Sequence, residues 1–422
     1  MEAFKPHLDY ALDLDRNDAL SSYRNAFHIP KDDNGNDWLY FTGNSLGLQP
    51  KSTKLAIDQE LNDWAKLGVE GHFEAKNPWM SYHEFLTESM AKIVGAKPIE
   101  VVVMNTLTTN LHLLMVSFYN PTPKRCKILI ESDAFPSDRY AVQTQLEFHG
   151  FDANECLVEW QPRKGETLLR IEDLEQILEK QGDEIALLLI GGVNYYTGQY
   201  LDLKKIAKLG HAKGCKVGID LAHGAGNIQP ELHDSGVDFA AWCTYKYLNS
   251  GPGSLGGIFV HKRYANDKTL KRFAGWWSQN KTTRFNMRQP LDITPGAEGW
   301  QLSNPPILSM AAIKASLDLF NEVGMTALRQ KSLKLTAYLE FLINELNNPH
   351  INIITPTNPN ERGCQLSIQV KNVDKNLHKK LTENHIITDW REPDVIRCAP
   401  VPFYNSFKDI YRMVEILKTL LQ

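Results

Sequence analysis

A lysine stands between two tyrosines in the stretch TYKYLNSGPGSLGG, which covers residues 244–257. The apolar run AAWCT (240–244) leads directly into Lys246, so we expect this side chain at the end of a buried strand. Most lysines are solvated surface charges, but an amine removed from water has a lowered pKa. Such an amine is free to form a Schiff base with a carbonyl compound, which makes Lys246 a candidate for covalent chemistry.

The glycines of the same stretch, GPGSLG (251–256), match the pattern G-x-G-x-x-G of a dinucleotide-binding loop. Such a loop follows a strand and opens a helix, whose N-terminus meets the pyrophosphate. The residues that follow here, GIFVH, have a strand pattern instead. A dinucleotide-dependent oxidoreductase is therefore disfavoured, and we expect the glycines to let backbone pass close beside Lys246.

An acidic residue ends another apolar run, KVGIDLAH (216–223). A carboxylate buried at the end of a strand needs a cationic partner, because an unpaired buried charge is costly. A protonated pyridine nitrogen would be such a partner for Asp220. Pyridoxal phosphate is the cofactor that needs both a lysine amine and this acid. Asp220 is equally compatible with a helix N-cap, a salt bridge or a metal pair with His223, although no third metal ligand stands at a fitting spacing.

Strand and helix patterns that alternate from about residue 100 must position these side chains. Strands are predicted at 100–105, 127–132, 184–192 and 216–223, and then within VDFAAWCTYKY and LGGIFVH. They are nearly continuous in apolar residues, as in a parallel sheet covered by helices on both faces. The sequence therefore predicts an α/β domain with its chemistry at the carboxyl ends of the strands.

The pattern changes near residue 305. Helices are predicted at about 306–322 and 325–347, strands near 351–354, 364–370, 386–390 and 395–400, and a closing helix with Ser406 as its N-cap. This order is typical of a separate α+β domain. We predict a large domain at 50–304, a small C-terminal domain at 305–422, and an N-terminal segment at 1–49 that packs with the small domain.

Composition narrows the class of partner. The net charge of −4 gives no general attraction to nucleic acid or to an anionic membrane. The longest apolar run, IALLLIGGV (185–193), is too short to cross a bilayer. The 6 cysteines form no C-x-x-C pair, and the N-terminus lacks a signal-peptide pattern. We expect a cytoplasmic protein with reduced thiols and no metal site.

The sequence D-x-A-H at 220–223, followed by the aromatic–lysine pair at 245–246, is similar to fold-type I pyridoxal phosphate enzymes of the aminotransferase class V group. Further stretches make the resemblance narrower: TGNSLGLQP (42–50), NPW (77–79), MNTLTTNLHLLM (104–115), AFPSD (134–138), YYTGQ (195–199), GWW (275–277), SNPPIL (303–308) and RCAPVPFYNS (397–406). Together they resemble the kynureninase family, in the family's order. The resemblance implies an aspartate aminotransferase-like fold and a homodimer with shared active sites.

By this resemblance, Lys246 binds pyridoxal phosphate covalently and moves protons, Asp220 contacts the pyridine nitrogen, and His223 lies close to the ring. Phe135 is expected to stack on the ring and Asp138 to add a polar contact. A core aromatic is the alternative for Phe135.

The resemblance also places the cofactor phosphate at the start of a predicted helix, where Leu107 contributes its backbone and Thr108 its hydroxyl. Tyr245 is expected to contact the phosphate and to serve as an acid or base with a lowered pKa. Trp276 and Asn304 are expected to complete the cofactor site from the second subunit. A turn residue before Pro-Pro is the alternative for Asn304.

Four residues are assigned to the substrate by the resemblance: Ser45, His72, Asn304 and Arg397. The planar guanidinium of Arg397 is suited to donate two parallel hydrogen bonds to the substrate α-carboxylate. His72 and the pair Ser303–Asn304 correspond to residues of family members that prefer 3-hydroxykynurenine, since an imidazole and an amide can bond the ring hydroxyl. The alternative for His72 is a turn cap before the NPW loop.

The implied reaction is the hydrolytic cleavage of the Cβ–Cγ bond of L-kynurenine or its 3-hydroxy form in tryptophan catabolism or NAD biosynthesis. One departure is Gly191, where the family often has a hydroxyl residue, so either that cofactor contact is lost or a neighbour such as Asn194 or Thr197 replaces it. A cysteine desulfurase or an aminotransferase is the alternative within the group. A desulfurase needs an exposed cysteine, whereas Cys398 lies in a strand pattern. An inactive scaffold is the alternative from another class.

Overall fold

The structure is a computed structural model that describes residues 4–287, 290–373 and 375–421. Residues 1–3 of the predicted N-terminal segment, 288–289 of the predicted large domain, and 374 and 422 of the predicted small domain lie outside the described residues. The helices are α1 (Leu8–Arg16), α2 (Ser52–Leu67), α3 (Gly71–Glu74), α4 (Glu84–Val94), α5 (Leu107–Phe118), α6 (Pro136–Phe148), α7 (Ala153–Cys156), α8 (Ile171–Gln181), α9 (Leu203–Ala212), α10 (Leu232–Ser235), α11 (Ile307–Val323), α12 (Met325–Glu345), α13 (Asn376–Glu383) and α14 (Phe407–Leu420). The strands are β1 (Leu39–Tyr40), β2 (Val101–Met104), β3 (Lys127–Glu131), β4 (Leu157–Trp160), β5 (Ile185–Gly191), β6 (Lys216–Asp220), β7 (Phe239–Cys243), β8 (Gly256–Val260), β9 (Ile351–Ile353), β10 (Leu366–Val370), β11 (Ile386–Ile387), β12 (Asp389–Arg391) and β13 (Val395–Cys398).

The large sheet has seven strands in the order β2-β8-β7-β6-β5-β3-β4. Strand β8 is antiparallel to both of its neighbours, and the other pairs are parallel. The predicted α/β class with a mostly parallel sheet is therefore confirmed. Strand β4 was not predicted, because LVEW is short and mixes apolar with charged residues.

Both faces of this sheet are buried, which explains its continuous apolar runs. In β2, Val101 and Val103 belong to one hydrophobic core, whereas Val102 and Met104 belong to the core on the opposite face. Successive side chains of a strand point to opposite faces, so a strand covered on both sides is apolar along its length except at its ends. Full burial of each side chain contributes about 1.5–3 kcal/mol, which holds the sheet rigid beneath the loops at its edge.

The small sheet is antiparallel, in the order β12-β13-β10-β9. It packs against α12 and α14 in a third core, which Ala11 of α1 and Phe41 also join. Helix α14 begins after Ser406, whose hydroxyl accepts from the backbone N–H of Asp409 at 3.0 Å, so the predicted N-cap is confirmed. The single strand predicted at 386–390 is wrong: β11 pairs with β1, whereas β12 pairs with β13.

The carboxyl ends of four neighbouring strands meet at one edge of the large sheet. Strand β3 ends at Glu131, β5 at Gly191 and β6 at Asp220, while Lys246 follows shortly after β7. Gly191 and Asp220 are partners in the parallel register of β5 and β6. The sheet therefore brings these residues to one place although they are far apart in the sequence. Within the described ranges, none of the helices is both long and apolar enough to cross a membrane.

Candidate active site

A cavity of about 170 Å³ opens at this edge of the large sheet. Many of the residues predicted to bind the cofactor line it together: Leu107, Thr108, Phe135, Asp138, Asp220, His223, Tyr245 and Lys246. The other residues that line the cavity are Thr106, Glu131, Ser137, Gly191, Val193, Tyr195 and Ala222. One amine, three carboxyl groups, several hydroxyls and several aromatic rings therefore surround a small cavity at this sheet edge.

Lys246 lies in the loop after β7, with its side chain buried. Its Nζ atom is 3.1 Å from Nε2 of His223 and 5.7 Å from the ring centroid of Phe135. The loop is tied down on both sides, because Gly47 N–H donates to the Tyr245 carbonyl at 2.8 Å and Asn249 N–H donates to the Lys246 carbonyl at 3.0 Å. The amine is therefore held in the cavity beside an aromatic ring, and its burial after a strand agrees with the sequence pattern.

The glycine run after Lys246 reverses the chain. Gly251 and Gly253 have φ angles of 93° and 69°, which favour glycine, and the run leads into strand β8 rather than a helix. A Cβ on Gly256 would lie 2.4 Å from the Trp242 carbonyl oxygen. These glycines serve a turn and a close strand contact, so the dinucleotide-loop interpretation is wrong.

His223 is neutral in this site. Burial lowers the pKa of its imidazole well below the usual value, and the charge of Lys246 lowers it further. Nε2 contacts the lysine amine, whereas Nδ1 is buried without a hydrogen-bond partner in the described structure. A buried ring nitrogen of this kind is suited to a polar ligand in the cavity.

Carboxyl groups surround one end of the cavity. Oδ1 of Asp220 accepts from the Ala222 N–H at 2.7 Å. Burial raises the pKa of Asp138 well above its usual value, and the charge of Asp220 raises it further. Oδ1 of Asp138 has no hydrogen-bond partner within the described ranges. A cationic ring nitrogen at this end would relieve the repulsion and use the unsatisfied oxygen.

A third carboxyl, that of Glu131, lies beside Gly191. Both of its oxygens accept from the Gly191 N–H, at 3.1 and 3.0 Å, and burial raises the pKa of Glu131 to about 7. The residues expected to replace the missing hydroxyl at Gly191 do not reach the cavity. Instead, Oδ1 of Asn194 accepts from the Thr197 N–H at 2.9 Å within a turn. Glu131, which the sequence analysis missed, occupies the space beside Gly191; its signal was a carboxylate at a strand end, as for Asp220.

Two helix N-termini that border the cavity are suited to an anion. Helix α5 begins at Leu107 and helix α6 begins just after Phe135, so two helix N-termini meet there. The hydroxyls of Thr108 and Ser137 lie 2.8 Å apart. Ser137 belongs to the AFPSD motif but was not assigned a role from the sequence. Backbone N–H groups and hydroxyls at helix N-termini are the donors that a phosphate needs.

These observations fit pyridoxal phosphate. The helix N-termini suit its phosphate, the Asp220–Asp138 pair suits its ring nitrogen, and the Lys246 amine suits its aldehyde. Phe135 is 42% exposed rather than part of the core, and its ring faces the lysine amine. An exposed ring beside the cavity agrees with a stacking role and disfavours the alternative of a core aromatic.

The phenol of Tyr245 has a shifted pKa. Burial raises this pKa, and the neighbouring Cys243 raises it further. In the protein alone the pKa is raised because the loss of hydration dominates, and the lowering expected from Lys246 together with the bound cofactor stays a prediction. A raised pKa keeps the phenol protonated, which suits a proton donor better than a base.

The predicted substrate residues Ser45 and Arg397 lie together beside this cavity. Arg397 is 1% exposed, and its Nη1 donates to the carbonyl of Tyr195, a cavity residue, at 2.8 Å. Its Nη2 forms an ion pair with Asp389, its partner across β12 and β13, and donates to Ser45 Oγ at 3.3 Å. Sequence reasoning missed Asp389 and Tyr195, because only the strand register and a loop contact bring them to Arg397.

Besides Ser45 and Arg397, three more predicted residues do not line the cavity of this single chain: His72, Trp276 and Asn304. Nδ1 of His72 contacts the Val69 carbonyl at 2.9 Å, and its ring meets the edge of Trp79 at 5.4 Å. These contacts match the alternative of a turn cap before the NPW loop. Trp276 is 48% exposed, and Asn304 is also exposed. Contribution from a second subunit stays a prediction for Trp276 and Asn304.

Comparisons with known proteins agree with this site. Residues 328–417 match the family model of the kynureninase C-terminal domain. The chain is 55% identical to a kynureninase of Myxococcus xanthus, over 98% of this chain and 97% of that protein. It is 48% identical to a kynureninase of Mus musculus, over 97% of this chain and 92% of that protein.

Solved structures of lower identity share the fold. One is a variant of the cystine C–S lyase C-DES with glycine covalently linked to its PLP cofactor, with a TM-score of 0.77, 18% identity, and coverage of 90% of this chain and 96% of that one. Another is a cysteine desulfurase of Escherichia coli, with a TM-score of 0.76, 15% identity, and coverage of 100% of this chain and 99% of that one. At these identities the likeness is one of fold alone. The full-length relatives decide the family: the chain belongs to the kynureninase family.

Proposed function

We propose that this enzyme hydrolyses the Cβ–Cγ bond of L-kynurenine or 3-hydroxy-L-kynurenine, giving an anthranilate and L-alanine. The observation that carries the proposal is a buried lysine in a cavity fitted to pyridoxal phosphate, with a buried arginine that donates to the carbonyl of the cavity residue Tyr195. When bound, pyridoxal phosphate supplies an electron sink for charge that develops on the substrate's carbon skeleton.

The residues divide the remaining work. Arg397 binds the substrate α-carboxylate and orients the α-carbon toward the cavity. Lys246 takes the α-proton, and neutral His223, 3.1 Å away, accepts a hydrogen bond from the amine when it is protonated. Asp220 holds a proton on the ring nitrogen, since its carboxylate would be costly to bury without a cation.

Hydrolysis needs one water and one proton donor. Water adds to the ketone at Cγ, and cleavage leaves the carboxyl group of the anthranilate and charge at Cβ. Tyr245 holds its proton firmly because burial raises its pKa, so it is available to protonate Cβ and complete alanine. One substrate and one water thus give the two products without any other reactant.

The finer assignments belong to the same proposal. We infer a cytoplasmic homodimer in which Trp276 and Asn304 enter the active site of the partner subunit, since neither lines the cavity of its own chain. We also infer a preference for 3-hydroxykynurenine, whose ring hydroxyl His72 and the Ser303–Asn304 pair would bond. A site that bonds a hydroxyl loses affinity for the analogue that lacks it.

A desulfurase activity receives no support from the site. Cys364, Cys398 and Cys243 are all buried, and burial raises the pKa of each thiol. A desulfurase needs an exposed thiol with thiolate character.

The test is product analysis by mass spectrometry. The purified holoenzyme is incubated with L-kynurenine, 3-hydroxykynurenine or L-cysteine, and a Lys246→Ala variant serves as the control. We expect an anthranilate and alanine in equal amounts from the kynurenines and none from the variant. Sulfide release from L-cysteine without cleavage of either kynurenine would overturn the proposal.

A further inference from the structure

Arg397 already pairs with a carboxylate of its own chain. Asp389 is its register partner on the neighbouring strand, and one oxygen of this residue, Oδ2, receives three donors. They are Nη2 of Arg397, the hydroxyl of Ser45 at 2.6 Å and Nη2 of Arg391 at 3.2 Å. The guanidinium of Arg397, which we assign to the substrate carboxylate, is therefore already paired with the carboxylate of Asp389.

The donors of Arg397 leave little room for a second carboxylate. Nη1 donates to the Tyr195 carbonyl, and Nη2 donates to Asp389 and Ser45. Nε is buried with no hydrogen-bond partner in the described part of the chain. A bidentate pair uses two adjacent N–H groups of the fork. A substrate carboxylate that uses Nε must therefore share or take over Nη2, which Asp389 holds.

The charges around the Arg397–Asp389 pair favour replacement of Asp389 by the substrate carboxylate as the partner of Arg397. Two arginines, Arg391 and Arg397, face one carboxylate, so the group carries an excess positive charge that a single further carboxylate would neutralise. Burial raises the pKa of Asp389, but the charge of Arg397 and the bond from Ser45 outweigh that effect and keep it ionised. If Arg397 leaves, Asp389 still has Ser45 and Arg391 as partners. Arg391 is the more exposed of the two arginines and is free to tighten its contact.

We propose that Asp389 is a positioning residue that occupies Arg397 in the substrate-free enzyme and yields it to the α-carboxylate of the substrate, while Arg391 and Ser45 retain Asp389. The inference rests on the proposed function, because that function assigns Arg397 to the substrate. Asp389 thus competes with the substrate carboxylate for Arg397. Arg391 lowers the free-energy cost of releasing Asp389, because it remains an ion-pair partner of that carboxylate.

The first test is Asp389→Asn, which keeps the shape and removes the competing charge. A buried Arg397 without a counter-ion gains more from any carboxylate that reaches it. We expect KM for kynurenine and Kd for L-alanine, followed by the absorbance of the bound cofactor, to fall about fivefold to tenfold, with kcat changed by less than about twofold. L-Alanine should also raise the melting temperature of this variant more than that of the wild type.

The second test is Arg391→Ala, at a partly exposed residue where a folding defect is not expected. Asp389 then lacks the arginine that would stabilise its charge once Arg397 binds the substrate. KM for kynurenine and Kd for L-alanine should therefore rise about threefold to fivefold. In the double variant with Asp389→Asn this rise should vanish, because position 389 no longer carries a negative charge for Arg391 to stabilise. Lys164→Ala, at an exposed lysine outside the site, is the matched control.

The outcomes separate the inference from the function. If Asp389 only braces Arg397, then Asp389→Asn will weaken L-alanine binding and Arg391→Ala will have the same effect with or without Asp389. Either result would contradict the proposal that the substrate carboxylate replaces Asp389 at Arg397. If the wild type binds L-alanine but cleaves neither kynurenine, the proposed function fails, and the ordering of the alanine affinities still decides the role of Asp389.

Discussion

Nζ of Lys246 and Nε2 of His223 lie 3.1 Å apart in a buried cavity, with no carboxylate oxygen hydrogen-bonded to that amine among the described residues. The imidazole stays neutral, because burial and the nearby amine both lower its pKa. The lysine therefore has an acceptor that steers its nitrogen without trapping it in an ion pair. An amine held in this way is able to bond a carbonyl carbon and to exchange protons.

Lys246→Ala should abolish covalent attachment of the cofactor and lower kcat by at least about 10³-fold, since both the bond and the proton shuttle depend on this amine. Borohydride reduction of the wild-type holoenzyme, followed by peptide mass spectrometry, should label Lys246 alone. Lys164→Ala is the matched control and should retain labelling and turnover. Labelling of a different lysine would refute the assignment of the whole site.

Asp220→Ala should lower proton exchange at the α-carbon far more than it lowers cofactor occupancy. The helix N-termini and hydroxyls would still hold the phosphate, whereas the ring nitrogen would lose its acid. We expect exchange of L-alanine in D₂O, followed by NMR, to fall about 10²-fold to 10⁴-fold, with partial recovery in Asp220→Glu. Exchange at the wild-type rate in Asp220→Ala would contradict the role given to this residue.

Gly191 should tolerate no side chain while Glu131 is present. A Cβ at this position would lie 2.4 Å from Oε1 of Glu131, which is buried and therefore has little room to move. We expect Gly191→Ala to lower the free energy of unfolding by about 1–3 kcal/mol and to weaken cofactor binding. The double variant with Glu131→Ala should recover part of both losses, measured by urea unfolding and cofactor titration. Additive losses in the double variant would argue against this contact.

The stability of the cofactor-free protein should depend on pH through Glu131. Its pKa is raised from 4.5 to about 7 in the folded state, so the folded protein favours the protonated form. The stabilisation by Glu131 is complete below pH 4.5 and is lost as the pH rises to about 7. Glu131→Gln cannot ionise, and it should gain about 1–3 kcal/mol over the wild type across this window. Urea unfolding at several pH values measures the difference, and a difference that is constant with pH would disprove the cause.

The wild type should have a higher kcat/KM for 3-hydroxykynurenine than for kynurenine. The combined change His72→Trp and Asn304→Thr should shift the preference toward kynurenine by about 1–3 kcal/mol, because it removes the partners of the ring hydroxyl. His149→Trp, at an exposed histidine outside the cavity, is the control. Equal or reversed preference in the wild type would refute the inferred substrate and leave the reaction class intact.

The sequence predicted the large sheet well, because strands buried on both faces leave a continuous apolar signal. Asp220 and Lys246 were found for the same reason, since they follow such runs directly, whereas the other cofactor residues came from the family resemblance. Asp389 carried no comparable signal, since its importance arises only when β12 pairs with β13. The raised pKa of Tyr245 in the protein alone was also not predicted, because burial of a phenol is a property of the folded surroundings. Trp276 and Asn304 are expected to act in the active site of a second subunit, and the structure of a single chain does not test that expectation.

The carboxylate-binding group is assembled from widely separated parts of the chain: Ser45 precedes the large sheet, Tyr195 follows β5, and Arg397 lies in β13. Every residue that lines the cofactor cavity, by contrast, falls between 106 and 246. Synthesis proceeds from the N-terminus, so the ribosome has released all the cofactor residues well before it makes Arg397. A nascent chain is thus able to build the place for the cofactor first, and recognition of the substrate waits until translation is nearly complete.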